Sequence, residues 1–592
     1  MEALKDKFKT WETGLKDGVS STLSEKSPIH FTIGNGILTE TYFPSPDKII
    51  IHSLRFFIDG EIDESTLPYE TELKDFYAPL YRIRSKLKSL TIEKNFLLDS
   101  ENSVLNVEYI FSQDLNGSFK IYPFFEKIIE ASKNSLTLKT KKAFIKIGLN
   151  INFRHENCGD FLIINVAHVR FVHIKIAFGK TINELNHAFK NSPDFKSTEE
   201  KFIIQWKEYL NKLNLENKSK LFIRSVINIK SMEDRFYRGA SVASLALPWG
   251  SKFPLNERNG YHLVWVRDLF FTALAMYFAG DENFIRDSLD YIITYLKRED
   301  GSFKQNSTVE GEERWHLTQM DQVAFPIILA YKLKRLDLVK ELKKSADYIV
   351  KYGPYTEQER WEEIGGFSPY IMSLQSLSLK LYGLMCKEIN SEYEIYLQKA
   401  DEFKKLIATY TYTKRGLFSD SYFTRISKGD PDTDKKVLTL KGKNFAPKEM
   451  VSTDFLYLVF TNLYPATDRR IIKSLKVIDN ILRVETPKGT SFYRYNGDIY
   501  GFDNPEEPKG KLWIILTCER GIFEAIRGND ATTYLKSVEN FATKTYLLPE
   551  QVFENGEPTE SATPLAWSHA IYILLYEMIN NSSIRKFLSP FI

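Results

Sequence analysis

The stretch IKIGLNINF, from Ile145 to Phe153, decides how the first third of this chain folds. Apolar residues occupy every odd position, with polar residues or glycine between them. This period of two is typical of a β-strand with one buried face. The same alternation recurs from Leu105 to Phe111 and from Val172 to Phe178, and turn signals such as Asn116-Gly117 separate such runs. Many strands without intervening helices predict an antiparallel β-sandwich.

The periodicity changes near Thr198. Phe202, Trp206 and Leu210 recur at helical spacing, and from Arg238 onward amphipathic helical patterns dominate. Residues 196–236 are therefore interpreted as a helical linker. Roughly 350 helical residues are compatible with a bundle, a solenoid or a closed barrel of helix pairs, and periodicity leaves these alternatives open.

Composition excludes several classes of protein. The chain has 592 residues, of which 43% are hydrophobic and 14% aromatic, so it predicts two or more globular domains. Its 80 basic and 77 acidic residues nearly balance, which gives no argument for a nucleic-acid partner. Three scattered cysteines, no signal peptide and no long apolar run favour a cytoplasmic protein without a membrane partner.

Three short motifs carry the chemistry. They are VWVRD (264–268), ERWEE (359–363) and PEQV (549–552). Together they supply aromatic faces that stack on sugar rings, a guanidinium that binds hydroxyls, and well-separated carboxyl groups. Two carboxyl groups on opposite sides of a sugar ring are what glycosidic cleavage requires. The set favours an enzyme that cleaves sugars.

Each motif also has a simpler interpretation. Asp268 could be a helix N-cap beside a surface arginine, and Glu362 and Glu363 could belong to a solvated acidic turn. Glu550 could be a solvated loop carboxylate, and His569 is interpreted as a core histidine rather than a catalyst. No cofactor motif is present, and the sequence leaves open whether a metal such as calcium is bound.

The order of the motifs along the chain adds information that no single motif carries. The sequence resembles the glucoamylase family of inverting α-glucosidases, in its bacterial and archaeal form, over nearly its whole length. Blocks that carry the resemblance in family order include GNGILTETYFP (34–44), LRFFIDG (54–60), RGASVASLALPWG (238–250), YHLVWVRD (261–268), DGSFKQN (300–306), WHLTQMD (315–321), ERWEE (359–363), RYNGD (494–498), GKLWIILTCERG (510–521), LLPEQV (547–552) and SATPLAWSHA (561–570).

The resemblance implies a multidomain α+β protein, in which an N-terminal antiparallel β-sandwich (residues 1–195) is followed by the linker and an (α/α)6 helical barrel (residues 237–592). It also implies roles. Glu362 would be the general acid and Glu550 the general base, whereas Glu363 would bind substrate near the acid. The remaining residues implied to bind substrate are Tyr261, Trp265, Arg267, Asp268, Trp315, Trp361, Arg494, Gln551 and Trp567.

This chain departs from the family pattern at several positions. Relatives commonly carry QxDE where this chain has Gln319 to Gln322, and they often have Glu in place of Gln375 and Ile571. A glycine commonly follows the RYNxD aspartate, and here Ile499 follows it. These changes remove charges but leave the implied acid, base and glucose-binding residues intact.

The expected function is exo-acting hydrolysis of α-linked glucose oligosaccharides or polysaccharides with release of β-D-glucose, without a cofactor. Isomaltose- or dextran-type hydrolysis and trehalose hydrolysis are alternatives within the family. A sugar phosphorylase and a glucan-binding protein without activity are alternatives outside it. The sequence does not decide the oligomeric state.

Overall fold

A computed structural model of the protein describes residues 13–123, 125–159, 161–247, 260–440, 442–501 and 509–581. The end of the RGASVASLALPWG block, Pro248 to Gly250, lies outside the described residues. The chain packs into two compact units. The sheet unit comprises Met1–Leu263, Ala542–Pro549 and Glu560–His569. The helical unit comprises Val264–Phe541, Glu550–Thr559 and Ala570–Ile592. The boundaries at residues 195 and 236 stay predictions.

Over its described residues, the sheet unit contains 14 hydrogen-bonded antiparallel strands. They are β1 (Gly18–Ser21), β2 (His30–Gly34), β3 (Ile37–Tyr42), β4 (Ile49–Ile58), β5 (Ile62–Asp63), β6 (Tyr69–Asp75), β7 (Leu80–Leu87), β8 (Leu90–Leu98), β9 (Val104–Pro123), β10 (Lys127–Ala131), β11 (Ser135–Lys139), β12 (Phe144–Leu149), β13 (Arg154–Asn157) and β14 (Leu162–Gly179).

Two long strands, β9 and β14, link the strands into two layers. The first half of β9 pairs with β8, and its second half pairs with β4, while β14 pairs with β9 along both halves. Both strands change direction at the same level. Gly117 of β9 lies where a Cβ atom would meet the Phe56 ring at 2.3 Å, and β14 has a register shift between Val166 and Val169. Such bulges bend strands and let one sheet cover itself.

Aromatic side chains from the two layers meet in the interior. The ring of Phe56 on β4 lies 4.9 Å from that of Phe111 and 4.8 Å from that of Phe119. Phe31 on β2 faces Phe96 on β8 at 6.2 Å. All five are buried or nearly so. The expected antiparallel sandwich is thereby confirmed.

The stretch from Ile145 to Phe153 forms a shorter strand than its alternation predicts, since β12 ends at Leu149. Beyond it, the Asn150 side chain accepts a hydrogen bond from the amide of His173, and the amide of Phe153 bonds to Lys133 in a turn. Side-chain bonding to the backbone competes with the ladder at such residues. Three helices that follow the strands cluster with the sheet, namely α1 (Ile182–Asn191), α2 (Phe195–Leu210) and α3 (Lys220–Ser231).

The helical unit alternates between two kinds of helix. Helices buried along nearly their whole length are α4 (Val266–Phe278), α6 (Met320–Lys332), α8 (Pro369–Glu388), α10 (Tyr457–Phe460) and α12 (Ile514–Ile526). Helices with one buried face are α5 (Glu282–Tyr291), α7 (Val339–Tyr352), α9 (Glu394–Thr411), α11 (Arg469–Ile481) and α13 (Thr532–Phe541). The alternation is what a barrel with inner and outer helices requires. The last helix of the described residues is α14 (Ala566–Asn580).

Short strands lie in the connections of the helical unit. They are β15 (Val264–Trp265), β16 (Asn306–Ser307), β17 (Tyr412–Thr413), β18 (Tyr422–Phe423), β19 (Leu438–Leu440), β20 (Lys443–Phe445), β21 (Arg483–Thr486), β22 (Gly489–Tyr493), β23 (Leu512–Trp513) and β24 (Gln551–Val552). None of the described helices is long and apolar enough to cross a membrane.

Candidate active site

The VWVRD motif begins an inner helix of the helical unit. Strand β15 pairs with β16, so Trp265 lies opposite Asn306, whose side chain accepts a hydrogen bond from the amide of Trp315 at 3.0 Å. This arrangement brings the Trp265 and Trp315 rings edge to face, with centroids 5.0 Å apart. The fold therefore brings together two predicted aromatic residues that lie 50 positions apart in the sequence.

Arg267 and Asp268 lie in the first turn of α4. The N-cap is Trp265, so the interpretation of Asp268 as a helix cap is wrong. Burial raises the pKa of Asp268 to about 6. Arg267 is buried and donates from Nε to Asp321 at 2.7 Å and from Nη1 to Glu362 at 2.7 Å. Its Nη2 has no hydrogen-bond partner among the described residues.

The ERWEE motif forms a tight, buried turn rather than a solvated one. The Glu359 carboxylate accepts from the amide of Trp361 at 2.9 Å, and the amide of Glu362 donates to the Glu359 carbonyl at 3.0 Å. Glu362 has a φ of +59°, which is rare for a residue with a Cβ atom. Non-glycine residues with this conformation are enriched at functional sites, where the surroundings enforce it.

Arg360 anchors this turn to the inner helices. Its guanidinium is fully buried and binds Glu519 of α12 at 2.7 Å and Asp454 at 2.8 Å. The Arg360 guanidinium also lies over the Trp361 ring, 4.5 Å from its centroid. The turn is therefore held from behind, and its carboxyl groups are presented from a fixed backbone.

Glu362 occupies an environment that favours its neutral form. Its side chain is a quarter exposed, with a relative accessibility of 25%. Desolvation outweighs the attraction of Arg267, and Glu359 adds repulsion, so the pKa of Glu362 rises to about 7. A carboxyl group that keeps its proton near neutral pH can act as a general acid.

Glu363 has the opposite environment. Its carboxylate accepts from Arg425 at 2.7 Å, from Tyr495 at 2.6 Å and from Arg494 at 3.1 Å. Burial by itself would raise its pKa, but Arg494 and Arg425 outweigh burial and hold the pKa of Glu363 at about 2. The two adjacent glutamates thus have pKa values shifted in opposite directions.

Arg494 is enclosed by aromatic rings and carboxylates. It bonds to Asp498 through Nε at 2.9 Å and through Nη2 at 2.7 Å. Its guanidinium lies 5.1 Å from the centroid of Trp361 and 5.2 Å from that of Trp513. These contacts make Arg494 a support for Glu363 and for the aromatic faces beside it.

A four-stranded sheet places Glu550 in this environment. The strands run in the order β21, β22, β23, β24, and Gln551 on β24 pairs with Trp513 on β23. Glu550 is buried, and its carbonyl accepts from the amide of Ile514 at 3.4 Å. Glu550 directly precedes β24, whose partner strand β23 carries Trp513. The Trp513 ring lies 5.2 Å from that of Trp361 in the acidic turn. Gln551 donates to the carbonyl of Tyr500 at 3.1 Å.

The remaining two predicted residues, Tyr261 and Trp567, belong to the sheet unit. Tyr261 is half-buried, and Trp567 is buried at the beginning of α14. Their predicted roles stay predictions. His569 is a core residue, as the sequence analysis predicts. Its Nδ1 lies 2.8 Å from Ser225 Oγ, and its Nε2 accepts from the amide of Leu548 at 3.0 Å.

Sequence reasoning missed several residues that build the site. Five of them lie inside the quoted blocks, so their closeness in sequence to the named residues could have identified them. They are Glu359, Arg360, Tyr495, Asp498 and Trp513. Arg425 lies in no block, and only the fold brings it to Glu363. Among the described residues, no group of three or more His, Cys, Asp or Glu side chains could hold a metal ion.

Comparison with known families agrees with this architecture. Residues 216–577 match the family described as glycosyl hydrolases family 15, and residues 6–141 match the N domain of glucodextranase. A glucoamylase of Clostridium sp. (strain G0005) is 33% identical, over 96% of this chain and 90% of the relative. An uncharacterized glycosyl hydrolase of Methanocaldococcus jannaschii is 26% identical, over 54% of this chain and 51% of the relative.

Among solved structures, a bacterial glucoamylase complexed with acarbose matches with a TM-score of 0.91 and 32% identity, over 96% of this chain and 94% of that chain. The sheet domain followed by a helical domain is shared with that bacterial glucoamylase, and together with the family match it identifies a glycoside hydrolase. The chain belongs to glycosyl hydrolase family 15, and its function is that of a glucoamylase-like glucosidase.

Proposed function

We propose that the protein is an exo-acting, inverting α-glucoside hydrolase that releases β-D-glucose from the nonreducing ends of maltooligosaccharides or related α-glucans. One observation carries the proposal. Within a single turn, Glu362 is held in an environment that keeps it protonated, and Glu363 in one that keeps it ionised. Environments that separate the pKa values of adjacent carboxyl groups are typical of acid–base sites.

Glu362 is the proposed general acid. Its proton passes to the glycosidic oxygen while the bond from that oxygen to the anomeric carbon breaks, and the electron pair stays with the departing sugar. The carboxylate that remains is stabilised by Arg267, which already donates to it at 2.7 Å. A charge that develops beside a preorganised cation needs no reorganisation of the site.

Glu550 is the proposed general base. It removes a proton from a water molecule, and the hydroxide adds to the anomeric carbon on the face opposite to the departing sugar. Inversion requires the two carboxyl groups to lie roughly 6.5 to 9.5 Å apart, with room for that water. Support comes from its neighbour Gln551, which pairs with Trp513, whose ring contacts Trp361 next to the acid.

The glucose at the nonreducing end is proposed to bind between the acid and the start of α4. Arg267 retains Nη2 for a sugar hydroxyl, and the carboxyl group of Asp268, in the same helical turn, can accept from one. The Trp265 and Trp315 rings offer apolar faces for the sugar ring. Glu363, Trp361, Arg494 and Gln551 complete the proposed pocket of the helical unit, with Glu363 and Arg494 acting mainly through their ion pair.

The substrate class has separate support. The Clostridium relative is a glucoamylase, and the similar solved structure is a bacterial glucoamylase complexed with acarbose. These likenesses favour α-glucans over trehalose. A cytoplasmic location stays a prediction from the sequence.

Anomer-resolved NMR of the purified protein with maltotriose, isomaltotriose or trehalose, in the absence of phosphate, tests the proposal. We expect β-glucose as the first product, fastest from maltotriose. Initial α-glucose would contradict the inverting mechanism, and a faster rate with isomaltotriose or trehalose would move the substrate to that linkage. Turnover only after phosphate is added would favour a phosphorylase, and binding without turnover a glucan-binding protein.

A further inference from the structure

Two glutamines at the beginning of α6 connect the backbone of one inner helix to the carboxyl group of Glu362. Gln322 accepts from the amide of Arg267 at 3.3 Å, and its Nε2 donates to Oε1 of Gln319. Gln319 in turn donates from Nε2 to the carbonyl of Glu359 at 2.6 Å and to Oε1 of Glu362 at 3.2 Å. Both glutamines are buried.

The direction of this chain of hydrogen bonds is determined at both ends. The amide of Arg267 can only donate, so Gln322 must present Oε1 to it and Nε2 to Gln319. Gln319 must then present Oε1 to Gln322 and Nε2 to the Glu359 carbonyl, which can only accept. Neither amide can be turned over without a clash of like groups at one end, so the same Nε2 faces Glu362 as a donor.

We infer that Gln322 and Gln319 form a directional amide relay, which holds Oε1 of Glu362 as a hydrogen-bond acceptor and leaves the deliverable proton on Oε2. Arg267 Nη1 donates to the same Oε1 at 2.7 Å, so both donors converge on one oxygen. Both glutamines are positioning residues, because they act through Glu362. The inference rests on the proposed role of Glu362 as the acid.

The relay has a defined effect on proton transfer. The proton leaves Oε2 for the glycosidic oxygen, the bond to the anomeric carbon breaks, and negative charge spreads over a carboxylate whose Oε1 is already bonded by Arg267 and Gln319. A proton on Oε1 would face two donors and could not reach the substrate. The relay therefore keeps the acid in the one protonated form that can react.

The charged groups around Glu362 determine how a change in the relay alters the pKa of its carboxyl group. Arg267 on α4 faces its carboxyl group and stabilises the anion, and Glu359 in the turn repels it. Asp321 on α6 is bound to Arg267 at 2.7 Å, and the Arg267 charge also acts on Asp268. Gln322 contributes no charge, so in this chain the relay acts on Glu362 through the direction of its hydrogen bonds.

Substitution Gln322→Glu reverses the relay. An ionised carboxylate at residue 322 accepts at both ends, so Gln319 turns its Nε2 away from Glu362 and presents Oε1. Glu362 then loses a donor and gains a nearby negative charge, and both changes favour its protonated form. We expect the basic limb of the pH profile of kcat to move up by about 0.5 to 1 pH unit, and kcat at its optimum to fall about tenfold.

A neutral variant separates the relay from the added charge. Gln322→Met keeps the volume but removes both amide contacts, so Gln319 is free to turn. We expect a smaller upward shift of the same limb with a similar loss of kcat. An unshifted basic limb in both variants would overturn the inference, because a merely structural role alters the amount of active enzyme and not its pH dependence.

The chain contains a matched control. Gln305 donates to Oε1 of Gln358 at 2.6 Å, and Gln358 Nε2 bonds to the backbone carbonyl of Glu362. This second pair of amides ends on the same residue but not on its carboxyl group. Gln305→Met should leave the basic limb where it is, and a shift equal to that of Gln322→Met would contradict the relay.

Failure of the relay is distinguishable from failure of the proposed function. The carboxyl stretch of Glu362, assigned by its loss in Glu362→Gln, can be titrated by infrared spectroscopy without substrate. If the parent protein does not turn over any α-glucoside, the proposed function fails, while an upward shift of this titration in Gln322→Glu would still support the relay. An unshifted titration would refute it.

Discussion

Two carboxyl–cation pairs, one in each unit, differ in whether both carboxyl oxygens are hydrogen-bonded. In the sheet unit, Glu64 binds Lys94 at 2.9 Å, and its other oxygen accepts from the amide of Phe56 and from Tyr109. Both side chains of this pair are 0% exposed. In the helical unit, Glu362 binds Arg267 at 2.7 Å and is 25% exposed. The first pair has both carboxyl oxygens occupied, whereas the donors of the second converge on one oxygen.

Carboxyl–cation pairs of similar composition can therefore serve stability in one unit and, as proposed, the reaction in the other. A closed pair can only be broken, and breaking it leaves an uncompensated buried charge. In the Glu362–Arg267 pair, one carboxyl oxygen stays accessible, and the pKa of the carboxyl group reflects a balance between burial and attraction. The comparison therefore predicts loss of stability in one unit and loss of activity in the other.

The largest effect is expected for Glu362→Gln. The amide keeps the shape of the side chain but cannot donate a proton to the leaving oxygen, so kcat should fall by roughly 10² to 10⁴-fold. Steady-state hydrolysis of the best α-glucoside, measured beside thermal unfolding, checks this. Glu550→Gln should cause a loss of similar size.

Little change in the thermal midpoint is expected for Glu362→Gln. The side chain is partly exposed, and burial already disfavours its ionised form. Near-parental rates would remove Glu362 from its proposed role. Rates that recover with an activated leaving group would identify the lost step as proton donation to the leaving oxygen.

The next largest effect is expected for Lys94→Met in the sheet unit. Glu64 would be left buried without its cation, which should destabilise the protein by about 3 to 5 kcal/mol. The midpoint of denaturant unfolding measures this loss. The kcat of the molecules that remain folded should be unchanged, since neither residue belongs to the proposed site.

The double variant Lys94→Met with Glu64→Gln sharpens this test. It removes both charges, so much of the lost stability should return, as replacement of a whole buried pair is often nearly neutral. If the double variant were as unstable as the single one, packing and not charge would explain the loss.

The smallest effect concerns pH. The pKa of Glu362 is about 7 and that of Glu363 about 2, so the acid is protonated below neutrality while Glu363 stays ionised over the same range. Activity should fall as pH rises through about 7, reaching roughly a tenfold loss one pH unit above that value. A pH profile of kcat measures the limb. A basic limb that begins below pH 6 would mean that another group controls the acid.

Hydrophobic periodicity predicted the type of several elements but not where each of them ends. Alternating residues such as Val172 and Ile174 identified strands, because a strand with one buried face must alternate. The helical spacing of Phe202, Trp206 and Leu210 identified α2. Periodicity did not predict the end of β12 at Leu149, because that end depends on hydrogen bonds of Asn150 with a distant strand.

The candidate site was recognisable from ordered motifs, and Glu362 and Glu363 lie next to each other in the chain. Nothing in their order states that one is protonated and the other ionised. That distinction depends on Arg425 and Arg494, which reach Glu363 from 62 and 131 residues away. Sequence spacing carries no information about such charges, because electrostatic interactions depend on distance in space.

The kinds of layers, the family and the candidate residues could be predicted from the sequence, since hydrophobic periodicity and short motifs can be read directly along the chain. Folding set the different environments of the carboxyl groups, the direction of the Gln322–Gln319 relay and the position of the segment that follows Glu550 beside Trp513. These properties follow from burial and from contacts between distant segments, which exist only once the chain has folded.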